Sequence, residues 1–150
     1  MNKSMVSSTV ILNLSVLAIR DIFSQIEIDH DYNYRVNITY VEIYNEMIRD
    51  LLVPASGYLE LRDDADKGVS IAGVTEIAAE STEQVMELLL IGNKRRTTEA
   101  TNANQTSSRS HAVFQINVIK TPRTKNINIE TLTGKLSLID LAGSERGTVT

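Results

Sequence analysis

Apolar residues recur at helical spacing over residues 14–27. They lie three or four positions apart, on one face of a predicted helix: Val16, Ile19, Phe23 and Ile26. Ser15 comes just before this pattern, and we expect it to be the N-cap. Arg20 and Asp21 close the more continuous apolar run before it is long enough to cross a bilayer, so we expect neither a membrane span nor a signal peptide.

A second helix is predicted from Ser81 onward. Ser81 and Gln84 have the spacing of a capping box. Apolar residues then follow on one face: Val85, Leu88, Leu89 and Ile91. Gly92 and Asn93 have the composition of a helix stop, so we expect the helix to end there. The basic cluster Lys94, Arg95 and Arg96 is then interpreted as a charged helix end.

Strands are predicted where residues alternate in polarity or where β-branched and aromatic residues cluster. These segments are 35–44, 58–62, 69–74, 111–120 and 136–141, and residues 48–53 form a further short apolar segment that ends at Pro54. Polar loops are expected at 97–110 and 121–133. The order of helix, strands, helix and strands predicts an α/β fold with a central, mostly mixed β-sheet flanked by helices.

Composition excludes several classes of function. The 150 residues are 42% apolar and 23% charged, which is typical of a globular domain. A net charge of −4 argues against a nucleic-acid binder. The absence of cysteine excludes disulfides and thiolate metal sites, and two histidines are too few for a His-rich site.

Two segments carry candidate chemistry. Asp140 and Gly143 lie in LSLIDLAGSER, where an aspartate at the end of a buried strand could hold Mg²⁺ and a glycine would let a backbone N–H approach a phosphate. The run NQTSSRSH, residues 104–111, offers hydroxyls and one arginine for a metal-bound phosphate. Taken alone, the first segment could equally be a capped strand end, and the second a solvated or phosphorylated loop.

Other polar segments have simpler explanations at this level. Glu42, Tyr44, Asn45 and Glu46 are interpreted as a strand end with a turn rather than as a site. Gly68 and Gly73 have the glycine spacing of a phosphate-binding loop, but no lysine follows, so the motif G-x-x-x-x-G-K-[ST] is absent from this sequence.

Three motifs in the same order resemble the kinesin motor domain. They are YVEIYNEMIRDLL at 40–52, NQTSSRSH at 104–111, which matches switch I, and DLAGSER at 140–146, which matches switch II. Similarity extends from residue 14 to 146, and GYLELRDD and GNKRRTTEATNANQTSSRSHAVFQI are similar to the kinesin-8 group. The resemblance implies an incomplete kinesin-type P-loop NTPase motor fold, with residues 1–13 unassigned and 14–150 as a partial motor domain.

The resemblance also implies roles for individual residues. The implied catalytic residues are Arg109, Glu145, Ser107 and Gly143, with Arg109 and Glu145 forming a salt bridge between the two switches. The implied nucleotide contacts are Asn104, Ser107, Ser108, Ser110 and Gly143. Mg²⁺ would be held by Ser108 and, through water, by Asp140. His111 would help to shape the switch I loop.

The implied cofactors are ATP and Mg²⁺, with weak or absent binding by this chain because it lacks the phosphate-binding loop. The implied partner is the microtubule, with residues 62–67 where the family has a tubulin-contacting loop, although this copy is acidic. We expect no nucleic-acid or membrane partner, dimerisation through other regions, and a location on cytoplasmic microtubules. Both ends look truncated, so we expect an incomplete sheet with exposed apolar edges. A non-catalytic kinesin-like binding protein and a GTPase-type NTPase remain as alternatives.

Overall fold

The computed structural model describes residues 3–54, 57–66, 68–100, 110–124 and 130–141, with the backbone alone at 3–14, 97–100, 140 and 141. The helices are α1 (Lys3–Ile28) and α2 (Thr82–Ala100). The strands are β1 (Tyr32–Tyr44), β2 (Met47–Asp50), β3 (Tyr58–Asp64), β4 (Gly68–Ala72), β5 (Ile77–Ala79), β6 (Ser110–Pro122) and β7 (Leu132–Leu141). The predicted α/β class is confirmed.

The strands form one sheet of seven strands in the order β4-β3-β2-β1-β6-β7, and β5 pairs with β1 beside β2. The long strands β1 and β6 pair over their whole length, from Tyr32 opposite Pro122 to Tyr44 opposite Ser110. All the pairings in the described part of the chain are antiparallel, so the parallel neighbours of a mixed sheet do not occur within it. Strands β1 and β7, on either side of β6, run in the same direction.

Both helices pack on one face of the sheet. Alternate residues of β1 and β6 point to this face, and they form a single buried cluster with residues of the helices: Val36, Ile38, Tyr40, Ala112, Phe114, Ile116, Ile19, Val85 and Leu89. The rings of Tyr40 and Phe114 meet edge to face, 5.1 Å between centroids, at the centre of this cluster. The predicted apolar faces of both helices therefore supply the core.

Both helices are longer than predicted. Helix α1 begins at Lys3 and places Ser15 inside the helix, where it is buried, so the expected N-cap at Ser15 is wrong. Helix α2 does begin after Ser81, whose Oγ accepts the N–H of Gln84, while Gln84 accepts the N–H of Glu80. No helix among the described residues is long and apolar enough to cross a membrane.

The expected stop at Gly92 is also wrong, because α2 continues to Ala100. A Cβ on Gly92 would lie 2.3 Å from Cδ2 of Tyr40, so this residue is small because the helix packs directly on the tyrosine ring. Asn93 accepts a hydrogen bond from the Tyr40 hydroxyl. The same Gly-Asn pair that resembles a helix stop is thus a packing contact in mid-helix.

A fully buried carboxylate organises the chain after β2. Asp50 Oδ1 accepts the N–H groups of Leu52 at 2.9 Å and Val53 at 3.3 Å, and Oδ2 accepts the N–H of Thr75 at 2.9 Å. These bonds satisfy three backbone donors that the sheet does not pair. Asp50 therefore ties the segment after β2 to the segment before β5.

A charged cluster connects the end of α1 to the start of β1 and the end of β6. Asp29 accepts a hydrogen bond from the Tyr34 hydroxyl and lies 3.6 Å from Lys120 Nζ, which stands 4.0 Å above the Tyr32 ring. The hydrogen bond from Tyr34, reinforced by Lys120, lowers the pKa of Asp29, and the same carboxylate raises the pKa of Tyr34.

Candidate functional site

The start of β6 and the end of β7 lie side by side at one edge of the sheet. His111 is opposite Leu141 and Ala112 is opposite Asp140. The run NQTSSRSH leads into β6 from this edge, and DLAGSER leaves β7 at the same edge. Antiparallel pairing thus sets the last residues of the first motif beside the first residues of the second, about thirty positions apart in the sequence.

The structure describes only part of the predicted site. Ser110 is the first residue of β6, and the backbone of Asp140 lies at the second-last position of β7. The remaining predicted residues lie outside the described part of the chain: Asn104, Ser107, Ser108, Arg109, Gly143 and Glu145. His111 lies on the sheet face opposite Ser110, with its Nδ1 buried and unpaired within the described structure.

Ser110 is held by a buried acid of β1. Glu42 is 6% exposed and accepts the Ser110 Oγ–H at 3.1 Å on its Oε2. Its Oε1 accepts a 2.9 Å hydrogen bond from Arg49 Nη2, across the β1–β2 pair. The Nε of Arg96 lies 3.6 Å from Oε2, and Arg96 Nη2 donates a 3.4 Å hydrogen bond to the Ser110 carbonyl. One carboxylate is therefore shared by a serine and two arginines.

Neither Glu42 nor Arg96 was identified from the sequence as a member of this cluster. Glu42 was interpreted as part of a strand end without a site, but it continues the inward-facing row that includes Ile38 and Tyr40, where an unpaired acid would be costly. The sequence pattern places Arg96 in a charged helix end, because it predicts that α2 stops at Gly92. Strand periodicity alone could have marked Glu42 as an inward-facing acid that needs a partner.

The turn beside this cluster has a left-handed backbone conformation at both of its residues. Asn45 and Glu46 connect β1 to β2 with positive φ angles of 49° and 65°. A two-residue hairpin with both φ values positive matches the right-handed twist of the strands. It brings Arg49 back opposite Glu42. The predicted break after Tyr44 is confirmed.

The donor types at this edge suit a hard cation and a phosphate. In the sequence, Asp140 carries a carboxylate and the serines that precede β6 carry hydroxyls, and oxygen ligands are those that Mg²⁺ prefers. In the described residues no group of three or more His, Asp or Glu side chains is arranged to hold a metal ion.

Comparison with known proteins agrees with the predicted motifs. The family model described as the kinesin motor domain matches residues 7–150. The chain is 52% identical over 136 residues to mouse kinesin-like protein KIF19, and 48% identical over 138 residues to Arabidopsis thaliana kinesin-like protein KIN-8B. These alignments cover 90% and 91% of the chain, but only 14% and 17% of the relatives.

A solved structure, described as that of a fast kinesin, has the same fold. It superposes with a TM-score of 0.78 at 36% identity, covering 90% of this chain and 38% of the other. The KIN-8 relative supports the predicted similarity to the kinesin-8 group. From its motifs, its sheet and these similarities together, the chain belongs to the kinesin motor domain family.

Proposed function

We propose that this chain is the switch-bearing part of a motor that hydrolyses MgATP to move along microtubules, with residues 14–150 as partial motor domain. The register that sets the start of β6 beside the end of β7 supports this proposal most strongly. Both switch motifs begin or end there, so a phosphate bound at this edge could contact both. Phosphoryl transfer depends mainly on such positioning and on charge stabilisation.

The proposed roles divide between the two motifs. Ser107 and Ser108 contact the γ-phosphate region, and Gly143 offers its backbone N–H to the same phosphate. Asp140 and Ser108 hold Mg²⁺, Asp140 through water, and the bound ion neutralises phosphate charge. Asn104 and Ser110 line the nucleotide side of switch I.

Arg109 and Glu145 form the proposed latch between the motifs. An ion pair between two loops has two states, and a phosphate can bias their populations. In a motor domain completed with the flanking segments of a relative such as mouse KIF19, Arg109→Ala and Glu145→Ala should lower kcat for ATP hydrolysis more than they weaken ATP binding. Normal ATPase rates in both variants would refute these roles.

The microtubule is the proposed partner. The proposed location is therefore the cytoplasmic cytoskeleton, and the proposed oligomer is a dimer formed through other segments. The hairpin of β3 and β4 projects its charged turn into solvent, with Asp63, Asp64 and Asp66 all exposed. Co-sedimentation of the completed motor domain with microtubules, with and without nucleotide, tests this partner. Binding that ignores nucleotide would favour the non-catalytic alternative.

Isolated, the 150-residue chain should bind MgATP weakly or not at all. Its sequence lacks the lysine and glycine-rich loop that supply most of the phosphate contacts. Isothermal titration calorimetry of the chain with MgATP measures this directly. A micromolar dissociation constant would contradict the prediction.

A further inference from the structure

Ser110 is the residue at which switch I joins the sheet, and it is held at three points. Its backbone lies opposite Tyr44 in the β1–β6 ladder. Its hydroxyl donates to Glu42 Oε2 at 3.1 Å, and its carbonyl accepts from Arg96 at 3.4 Å. Two contacts thus hold Ser110 in addition to the ladder, and both come from residues distant in the sequence.

The carboxylate of Glu42, which accepts from Ser110, is buried and has different partners at its two oxygens. Glu42 is 6% exposed, and its two oxygens are used differently. Oε1 accepts from Arg49, whereas Oε2 accepts from Ser110 and lies 3.6 Å from Arg96 Nε. Because a buried carboxylate loses much of its hydration, its remaining bonds are strong and directional.

We infer that Glu42 is a positioning residue for switch I, acting together with Arg96 on Ser110. This inference rests on the proposed function. Ser107 and Ser108, which are assigned to the γ-phosphate, lie three and two positions before Ser110 in the sequence, so the position of Ser110 limits where they can lie. Glu42 itself touches neither nucleotide nor metal in this assignment and acts only through Ser110.

If the cluster of Glu42, Arg49, Arg96 and Ser110 only stabilises the fold, a different result is expected. Arg49 forms the shorter ion pair with Glu42, at 2.9 Å against 3.6 Å for Arg96, yet its bond is to Oε1, not to the oxygen that Ser110 uses. If the cluster only stabilised the fold, removing Arg49 would do at least as much harm as removing Arg96. If it positions Ser110, the loss of Arg96 should impair catalysis, whereas the loss of Arg49 should mainly lower stability.

The first test measures the hold on Ser110 without nucleotide. Hydrogen–deuterium exchange of the full 150-residue chain should show the amides of His111 and Ala112 exchanging about 10-fold faster in Glu42→Ala and Ser110→Ala than in the original chain. Ser110→Thr, which keeps the hydroxyl, should restore slow exchange. Ser110→Ala removes one oxygen only and guards against failure of Glu42→Ala to fold. Unchanged exchange in Ser110→Ala would overturn the inference.

The second test measures turnover in the motor domain completed with the segments of a relative. Glu42→Ala and Arg96→Ala should lower kcat about 10-fold or more and change the KM for ATP less than about 3-fold, since misplacement of a positioned group affects the transition state most. Arg49→Ala is the matched control, with kcat within about 2-fold of the unsubstituted domain. Equal losses in the Arg49 and Glu42 variants would overturn the inference.

The two tests separate this inference from the function on which it rests. If the unsubstituted motor domain does not hydrolyse ATP, the proposed function fails, and the exchange experiment still decides whether Glu42 holds Ser110. If the domain is active and exchange at His111 rises without loss of kcat, Glu42 holds the strand but does not position switch I, and the inference fails alone.

Discussion

Substitution of Gly92 by alanine separates helix propensity from packing, because the two effects have opposite signs here. Gly92 lies within α2, where alanine is favoured over glycine by about 0.5–1 kcal/mol. The new Cβ, however, would lie 2.3 Å from Cδ2 and 2.5 Å from Cε2 of Tyr40, against 3.4–4 Å for ordinary contacts. The ring or the helix must therefore move by about 1 Å in a close-packed interior.

The tyrosine ring has little room to retreat. Tyr40 is 4% exposed, packs edge-on against Phe114 and donates to Asn93, the next residue of the helix. Overpacking of this kind costs about 1–3 kcal/mol. After the propensity gain is subtracted, we expect Gly92→Ala to lower the free energy of unfolding by up to about 2.5 kcal/mol, measured by urea denaturation at constant m-value.

A double-mutant cycle identifies the clash. In a Tyr40→Leu background the ring is gone, so Gly92→Ala should become stabilising by about 0.5–1 kcal/mol. Gly134→Ala is a control, since nothing lies within 4 Å of its added Cβ, and we expect a change below about 0.5 kcal/mol. The reasoning is refuted if Gly92→Ala stabilises the original chain.

Three further substitutions test other parts of the fold by urea denaturation. Asp50→Ala should cost about 3 kcal/mol or more, because three backbone N–H groups lose their buried acceptor, and a loss below about 1 kcal/mol would contradict that role. Ile38→Val, fully buried, should cost about 0.5–1.5 kcal/mol, and a neutral result would indicate a loosely packed core. Asp29→Asn should destabilise the chain at neutral pH. Because the folded pKa of Asp29 is lowered, its contribution is present above its ordinary pKa near 3.8 and lost as the pH falls through the folded value. The stability difference between the original chain and Asp29→Asn should therefore shrink below about pH 4, and a constant difference would exclude the ionised carboxylate as its source.

Local pattern was sufficient for most of the elements. The predicted strand 111–120 contains Ala112, Phe114 and Ile116 at alternate positions, and these are its buried residues, because side chains in a strand point alternately to opposite faces. Ile19 and Phe23, at helical spacing, likewise lie on the face of α1 that packs on the core. The short strand β5 was missed, since three residues carry too little periodicity to be recognised.

The sequence by itself determined the family, the switch motifs and the apolar faces. Motifs and residue periodicity are read along the chain, so they can be recognised without knowing which distant residues meet. Only the tertiary structure decided that Gly92 is a contact rather than a stop and that Glu42 meets Arg96 and Ser110. Those contacts join residues 52 to 68 positions apart, and which distant groups share a buried space depends on the register of β1 with β6 and on how closely α2 approaches the sheet.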